Sequence, residues 1–333
     1  MKMTKLSDVA KMAGVSIATV TRVVHNNSYV SQEKRKKVEQ AIKELNYIPP
    51  KKESTTGGGN MVAVILQPSY KHPFSARIGY SLADYAYRAG MYAFMVVDYP
   101  TNKTIPALIK KILQQNVCGI VITGFVDSEI DAKTQELLLN CGKPVVIVER
   151  ALCFGLNLVK IDTENGIRMA TCHILEKGRK VPIYLTPPVT GDVERERLLG
   201  FKRGVEESGL KFHNDMVHIC DTFSYQDGYK ATKEAFKKNQ NIDAIVVWSD
   251  TFACGALQYL HHTGKKVPDE VSVIGYDDFV APLLTPPLSS VYSPLEEMAR
   301  AAIDIIVNSQ DSTVEHFSRT IKLSPKLVVR ESS

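Results

Sequence analysis

Five polar side chains stand where this sequence could hold a hydroxylated small molecule. They are Thr123, Glu149, Arg197, Ser249 and Asp277. Four of them lie at or just past the end of a short apolar run that has the composition of a buried β-strand, and Arg197 lies early in an amphipathic stretch typical of a helix. Carboxylates and a guanidinium can each make two hydrogen bonds to adjacent groups. The set therefore suits a ligand that is rich in hydroxyls.

Aromatic side chains in the same part of the chain would give such a ligand flat apolar walls. They are Phe74, Phe223 and Trp248. Each polar or aromatic candidate has a structural alternative, as a turn carboxylate or a packed core ring. For Asp250 we expect a purely structural role, because its position suits the N-cap of a helix that begins at Thr251. A sugar or sugar phosphate is the expected ligand, and the aromatics permit a less polar one.

A second candidate site lies in the first fifty residues. Ser16 is placed to cap a short helical segment, Ile17–Val24. In this segment Arg22 could donate two hydrogen bonds to guanine, and Ile17 and Ala18 could contact a thymine methyl group. These residue types at the start of a short helix are suited to reading DNA in the major groove.

Three helices would position these side chains. The apolar pattern predicts Asp8–Ala13, Ile17–Val24 and Gln32–Leu45, and Gly14 supplies a left-handed residue after the first. A helix, a tight turn with glycine and a capped second helix form a helix-turn-helix. On these features alone, a generic three-helix bundle with a solvated Arg22 is the alternative.

The distribution of charge favours a nucleic-acid partner for this segment. Residues 1–55 carry 11 Lys and Arg against 5 Asp and Glu, whereas the remainder carries 30 against 31. All of the positive excess is therefore in the first sixth of the chain. A small basic segment on a neutral body suits a phosphate backbone, although a solvated basic surface would have the same composition.

The N-terminal segment resembles the DNA-binding domain of the lactose-repressor (LacI/GalR) family over Thr4–Pro49 without a gap. The resemblance rests on the run L-S-D-V-A-K-M-A-G-V-S-I-A-T-V-T-R-V-V-H-N, then Y-V-S and E-L-N-Y-I-P. It implies base reading by Ile17, Ala18 and Arg22. The full set of DNA contacts that it implies is Leu6, Ser16, Ile17, Ala18, Thr19, Thr21, Arg22, His25, Ser31 and Tyr47.

The segment after this domain departs from the family pattern. Family members usually carry a hinge helix there, which wedges a leucine into the minor groove. Residues 50–60 contain no aliphatic side chain and include three consecutive glycines, a composition typical of a flexible tether. The sequence therefore predicts binding without minor-groove intercalation by this linker.

From residue 61 onward, apolar strand patterns alternate with helical patterns. Continuous apolar strands between helices predict an α/β fold with doubly wound parallel sheets, and the strands form two sets that meet near Ile161. A single large α/β enzyme is the alternative. The sequence has no G-x-G-x-x-G after a strand, no phosphate-binding P-loop, no H-E-x-x-H and no G-x-S-x-G, so we expect no enzyme, cofactor or metal.

This body also resembles the family, whose core is similar to the two-lobed periplasmic-binding-protein fold (type I). The matching segments are His72–Phe74, Ile161–Gly166 with Asp162, Arg197–Phe201, Asp250–Ala256, Val267–Asp278 and Thr285–Ser290. The resemblance implies an effector cleft lined by Phe74, Thr123, Glu149, Asp162, Arg197, Phe223, Trp248, Ser249 and Asp277. Open parallel sheets bind ligands at the carboxyl ends of their strands, which agrees with this location.

The predicted organisation is a helix-turn-helix domain (1–49), a linker (50–60) and an effector-binding and dimerisation core (61–333). Lobe 1 would span about 61–161 and 293–320, and lobe 2 about 162–290 and 324–333. We expect an allosteric homodimer that binds a pseudo-palindromic DNA operator, most simply as a repressor. An activator and a solute-binding protein are the alternatives.

The predicted location is the cytoplasm. No apolar stretch near the N-terminus fits a signal peptide, and none in the chain approaches the length of a membrane span. The six cysteines are scattered singly, which favours reduced thiols over disulfides or a zinc site.

Overall fold

The computed structural model describes residues 6–25, 30–45, 60–66, 73–97, 101–123, 130–150, 155–310 and 318–333. The chain divides into two compact units, Met1–Gly57 and Gly58–Ser333. No helix in the described ranges is both long and apolar enough to cross a membrane.

The N-terminal unit contains the three predicted helices. They are α1 (Leu6–Ala13), α2 (Ile17–His25) and α3 (Gln32–Glu44). One apolar side chain from each helix, Val9, Val20 and Val38, is fully buried in their common core. Gly14 adopts the left-handed conformation with φ 64°, and the amide of Val15 donates to the carbonyl of Ala10, which closes α1. The helix-turn-helix prediction is confirmed.

The larger unit contains two six-stranded sheets. The first is wholly parallel, in the order β11-β5-β4-β3-β1-β2. Its strands are β1 (Met61–Leu66), β2 (Tyr92–Val97), β3 (Val117–Thr123), β4 (Val145–Val148), β5 (Asn157–Ile161) and β11 (Thr320–Leu323). Four helices accompany it: α4 (Phe74–Arg88), α5 (Ile105–Leu113), α6 (Ala132–Asn140) and α11 (Leu295–Asn308). We call this sheet with its helices lobe 1.

The second sheet has the order β12-β10-β9-β8-β6-β7 and is parallel except where β10 meets β12. Its strands are β6 (Pro182–Thr186), β7 (Val217–Ile219), β8 (Ala244–Val247), β9 (Ser272–Asp277), β10 (Ser289–Tyr292) and β12 (Lys326–Val328). It carries helices α7 (Thr163–Glu176), α8 (Asp192–Glu207), α9 (Tyr225–Lys238) and α10 (Asp250–His262). This sheet with its helices is lobe 2, and the predicted fold class is confirmed.

The chain passes between the lobes three times, after β5, after β10 and between β11 and β12. A further contact joins them away from these crossings. Phe279, in the segment after β9 of lobe 2, is buried in the apolar cluster of lobe 1. The guanidinium carbon of Arg77 on α4 lies 4.5 Å from the centre of the Phe279 ring. A movement of the loop after β9 would therefore disturb the packing of α4.

Strands β5, β10 and β11 were not predicted from the sequence. Their segments, NLVKI, SSVY and TIKL, are short and interrupted by polar residues. Such runs lack the continuous apolar pattern that indicated the central strands. All three are at or next to a sheet edge, where a strand meets less of the core.

The predicted helix cap at Asp250 is wrong. Helix α10 begins at Asp250 itself, its N-cap residue is Ser249, and no side chain forms a cap hydrogen bond there. The Asp250 carboxylate accepts hydrogen bonds from the amide of Phe279, at 2.8 Å, and from the hydroxyl of Ser290, at 2.6 Å. Burial, followed by repulsion from Asp277, raises the pKa of Asp250 to about 7. Asp250 thus holds the loop that carries Phe279 into lobe 1.

This raised pKa predicts a pH dependence of stability. Between about pH 4 and pH 7 the unfolded chain releases the Asp250 proton while the folded chain keeps it, so the free energy of unfolding falls as the pH rises. Asp250→Asn keeps the side-chain shape without a titrating group. We expect the decline over this window to be shallower in the variant by about 1 kcal/mol or more.

Denaturant unfolding of both proteins at pH 4.5 and pH 7.5 measures the difference. Asp221→Asn, which neutralises an exposed carboxylate of lobe 2, is the matched control. A decline of equal size in the wild type and the Asp250 variant would contradict the assignment.

Candidate functional site

Arg197 lies at the centre of the candidate effector cleft. It stands on α8 in lobe 2 with only 2% of its surface exposed. Its guanidinium carbon is 3.7 Å from the ring centre of Tyr276 and 4.6 Å from that of Trp248, so the cation is held between two aromatic faces. One terminal nitrogen donates to the carbonyl of Trp248, and the other lies 3.8 Å from the Asp277 carboxylate.

The charges around Arg197 come from both lobes. Burial opposes the charged guanidinium, but the Tyr276 hydroxyl and the Asp277 carboxylate outweigh it and hold the pKa of Arg197 above its usual range. Glu149, which follows β4 of lobe 1, acts in the same direction. The carboxylate of lobe 1 is therefore close enough to the guanidinium of lobe 2 to favour its charged form.

Two of the carboxylates stand on strained backbone. Glu149 has φ 78° and Asp277 has φ 101°, both in the left-handed region that favours glycine. Such conformations cost on the order of 1–3 kcal/mol each and persist where the surrounding structure enforces them. Each lies at the carboxyl end of a parallel strand, where the unusual φ redirects the side chain relative to the pleat. The strain at these two residues thus lowers the stability of the fold, and it sets the direction of two acidic side chains at this edge.

Three buried polar atoms of the cleft have no hydrogen-bond partner among the described residues. They are Nε of Arg197, Oγ of Ser249 and Oη of Tyr276. A buried polar group without a partner costs roughly 1–3 kcal/mol, so these atoms are ready to bind water or a polar ligand. Tyr276 was not among the predicted site residues, because it lies inside an apolar strand run that reads as core.

The three aromatic candidates do not all lie together in the structure. The Phe223 and Trp248 rings meet edge to face at 5.2 Å, and Phe223 is partly exposed beside the more deeply buried indole. Phe74 is buried and belongs to the apolar cluster of lobe 1. Phe223 and Trp248 are therefore the pair that the structure brings together near Arg197.

Two further candidates hold structural contacts. The Thr123 hydroxyl is buried and donates to the carbonyl of Ile65 at 3.1 Å. Asp162 accepts from the amide of Asn165 at the start of α7 and forms an ion pair of 2.9 Å with Lys322. These contacts fix the ends of β3 and β5 at the cleft edge.

The candidate DNA interface lies on α2. Ser16 caps this helix, since its hydroxyl accepts from the amide of Thr19 at 3.2 Å. Ile17, the first residue of the helix, has 51% of its surface exposed although it is a large aliphatic residue. Thr21 and Ser31 are also exposed. The outward face of α2 thus presents aliphatic and hydroxyl groups.

Several predicted DNA contacts lie outside the described residues. These are Tyr47 and the side chains of Leu6, Ala18, Arg22 and His25, together with residues 50–59 of the linker.

Family models match both units of the chain. Residues 5–50 match the model described as bacterial regulatory proteins, lacI family, and residues 171–333 match that of a periplasmic binding protein-like domain. The ribose operon repressor of Halalkalibacterium halodurans is 30% identical over 99% of this chain and 97% of its own length. The HTH-type transcriptional repressor PurR of Haemophilus influenzae is 28% identical over 99% of this chain and 98% of its own length.

Solved structures agree with this assignment. The transcriptional regulator CelR in complex with cellobiose has a TM-score of 0.72 at 27% identity, covering 99% of this chain and all of that one. The Lac repressor dimer bound to operator and an anti-inducer shares the fold, with a TM-score of 0.72 at 24% identity over 99% of both chains. The relatives named here are transcriptional regulators and not enzymes. The chain belongs to the LacI family of bacterial regulatory proteins.

Proposed function

We propose that this protein is a cytoplasmic, sequence-specific transcriptional repressor whose affinity for its operator is controlled by a small effector. One observation carries the proposal: a single chain combines an intact helix-turn-helix with a cleft that holds buried, unpartnered polar atoms. The first is a DNA-reading element, and the second is a ligand site. A chain with both can couple the binding of one to the binding of the other.

Part of the proposed recognition of DNA bases depends on apolar contacts. Ile17 and Ala18 would contact thymine methyl groups, and Arg22 would donate to guanine. The hydroxyl residues Ser16, Thr19, Thr21 and Ser31, with Leu6, His25 and Tyr47, would contact the sugar-phosphate backbone or adjacent bases. The exposure of Ile17 supports this assignment, since a large aliphatic side chain at that position gains little by facing water.

The proposed assembly is a homodimer that uses lobe 1. Large apolar side chains are exposed on α4 and on the edge strand β2: Tyr80, Tyr87, Tyr92, Phe94, Met95 and Val97. An exposed edge strand with this composition invites pairing with another chain. A two-fold dimer would place two copies of α2 on a pseudo-palindromic site.

A carbohydrate is the proposed effector. The Arg197 guanidinium, the carboxylates of Glu149 and Asp277 and the hydroxyls of Ser249 and Tyr276 can bond to neighbouring hydroxyls of a sugar. The Phe223 and Trp248 rings supply apolar walls. The similarity to the CelR–cellobiose complex supports this class.

Selection from random duplex DNA at physiological salt tests the proposed function. The wild-type protein should enrich a two-fold symmetric site, and Arg22→Ala should lose that enrichment because the guanine contact is removed. Lys133→Ala, which removes a positive charge from the exposed surface of α6, is the matched control and should enrich the same site as the wild type. No enrichment by the wild type, or equal enrichment by the Arg22 variant, would contradict the proposal.

Replacing thymine by uracil in the selected site tests the apolar contact of Ile17. Uracil lacks only the methyl group, so each contacted position should lose about 0.8 kcal/mol, or roughly fourfold in affinity per half-site. Ile17→Ala should bind more weakly and should no longer distinguish the two bases at the position that Ile17 contacts, whereas any discrimination by Ala18 remains. Fluorescence anisotropy at fixed salt measures both ratios. An Ile17 variant that retains the full wild-type preference for thymine would refute the contact.

A further inference from the structure

An ion pair joins the lobes beside the effector cleft. Arg150 directly follows Glu149 in lobe 1, and Glu194 lies in the first turn of α8 in lobe 2, three residues before Arg197. A terminal guanidinium nitrogen of Arg150 is 2.8 Å from Oε1 of Glu194. Arg150 is therefore adjacent to Glu149, and Glu194 is one helical turn from Arg197. Glu149 and Arg197 are the groups proposed to face the cleft.

Burial makes the loss of either partner cost more free energy in this pair than in an ion pair on the surface. The Glu194 side chain is 1% exposed and that of Arg150 is 17% exposed. The second carboxylate oxygen of Glu194 accepts from the amide of Gly191, at 3.0 Å, so both oxygens are engaged. A carboxylate that is desolvated to this degree is costly without a cation. If the lobes separated, Glu194 would lose Arg150 and would have to be hydrated by incoming water.

The backbone near the pair leaves space for the guanidinium. A Cβ atom on Gly191 would lie 2.2 Å from a terminal nitrogen of Arg150 and 2.5 Å from Oε2 of Glu194. Gly191 has φ −104° and ψ 179°, an extended conformation open to any residue. Glycine is thus required here because a larger residue would occupy the space of the guanidinium, and the backbone conformation itself does not require it. The space is occupied by the side chain from the other lobe.

A second ion pair between the lobes lies next to a segment where the chain crosses from one lobe to the other, unlike the pair of Arg150 and Glu194. Lys160 lies on β5, immediately before the chain crosses to lobe 2, and its ammonium nitrogen is 2.5 Å from Glu196 on α8. Thr163, the first residue of α7, donates to the same carboxylate. This pair is next to a crossing segment, where the lobes are tethered in any case. The contact of Arg150 with Glu194 has no such tether adjacent to it in sequence.

We infer that Arg150 and Glu194 are the positioning residues of the effector site. Their ion pair holds the lobes in the arrangement that this structure shows, which we call the closed arrangement, and keeps Glu149 of lobe 1 near Arg197 of lobe 2. The inference rests on the proposed function only in naming the cleft an effector site. Substitution of either residue opens the cleft without removing a group that contacts the ligand.

The distance between the lobes tests this inference directly. Nitroxide labels on non-natural residues at positions 133 on α6 and 233 on α9 report it by pulsed electron resonance on the full chain, without DNA or effector. Both positions are exposed, one in each lobe. The wild type should give one dominant short distance. In Arg150→Ala and Glu194→Gln the population at that distance should fall at least about fivefold, since a buried carboxylate or guanidinium loses its partner.

Two more variants separate positioning from a general effect on folding. Gly191→Ala should open the cleft with both charges intact, because its methyl group displaces the guanidinium. Arg150→Lys should restore most of the short-distance population, since the charge is kept. Asp221→Asn breaks the exposed ion pair with Lys230 inside lobe 2 and should leave the distance unchanged. Circular dichroism verifies that each variant is folded.

Wild-type distances in folded Arg150→Ala and Glu194→Gln would overturn the inference, as would failure of Arg150→Lys to restore the closed form. Because this readout needs neither operator nor effector, its outcome is independent of the DNA selection. A protein that selects no DNA site can still show the closed arrangement. A protein that selects its operator can still show no change of distance in these variants.

Discussion

The buried cation of Arg197 is the constraint on which the proposed effector cleft depends. A guanidinium with almost no exposed surface is tolerated only where charge and aromatic faces surround it, and here Asp277, Tyr276 and Trp248 do so. These groups come from the ends of two neighbouring parallel strands and from α8, so the strand order of lobe 2 creates the site. The strained backbone at Asp277 is a consequence of placing a carboxylate at that edge.

The same loop connects the cleft to the surface that we propose for dimerisation. Asp277 faces Arg197, and two residues later Phe279 enters the core of lobe 1, with its amide held by Asp250 and its ring under Arg77 of α4. Helix α4 also carries the exposed Tyr80 and Tyr87. A ligand that moved the loop after β9 would therefore act on α4 through packed contacts, which is a physical route from effector to assembly.

Much of this arrangement could be predicted from the sequence, because the central strands are continuous apolar runs and the polar residues that end them are conspicuous. Ser249 and Asp277 are predicted as cleft residues in this way, and Arg197 from its place early in a helical stretch, and the structure brings Arg197 and Asp277 together. Tyr276 was missed, since a tyrosine inside an apolar strand is indistinguishable from core until its neighbours are known. The helix-cap prediction for Asp250 is wrong because its partner Ser290 lies 40 residues away on β10, which β9 separates from the strand that precedes Asp250. Contacts of this kind depend on sheet order, which local patterns do not encode.

Coupling between the cleft and the helix-turn-helix is the central claim, and thermodynamic linkage tests it most directly. The probe is whichever compound, from a panel of free sugars, sugar phosphates and nucleosides, most raises the thermal unfolding temperature of the full chain. Its affinity is measured with and without saturating operator, and operator affinity with and without the compound. The account predicts that both ratios are equal and roughly 5- to 150-fold, and that Arg197→Ala abolishes both. Equal compound affinity in the presence and absence of operator would contradict the account.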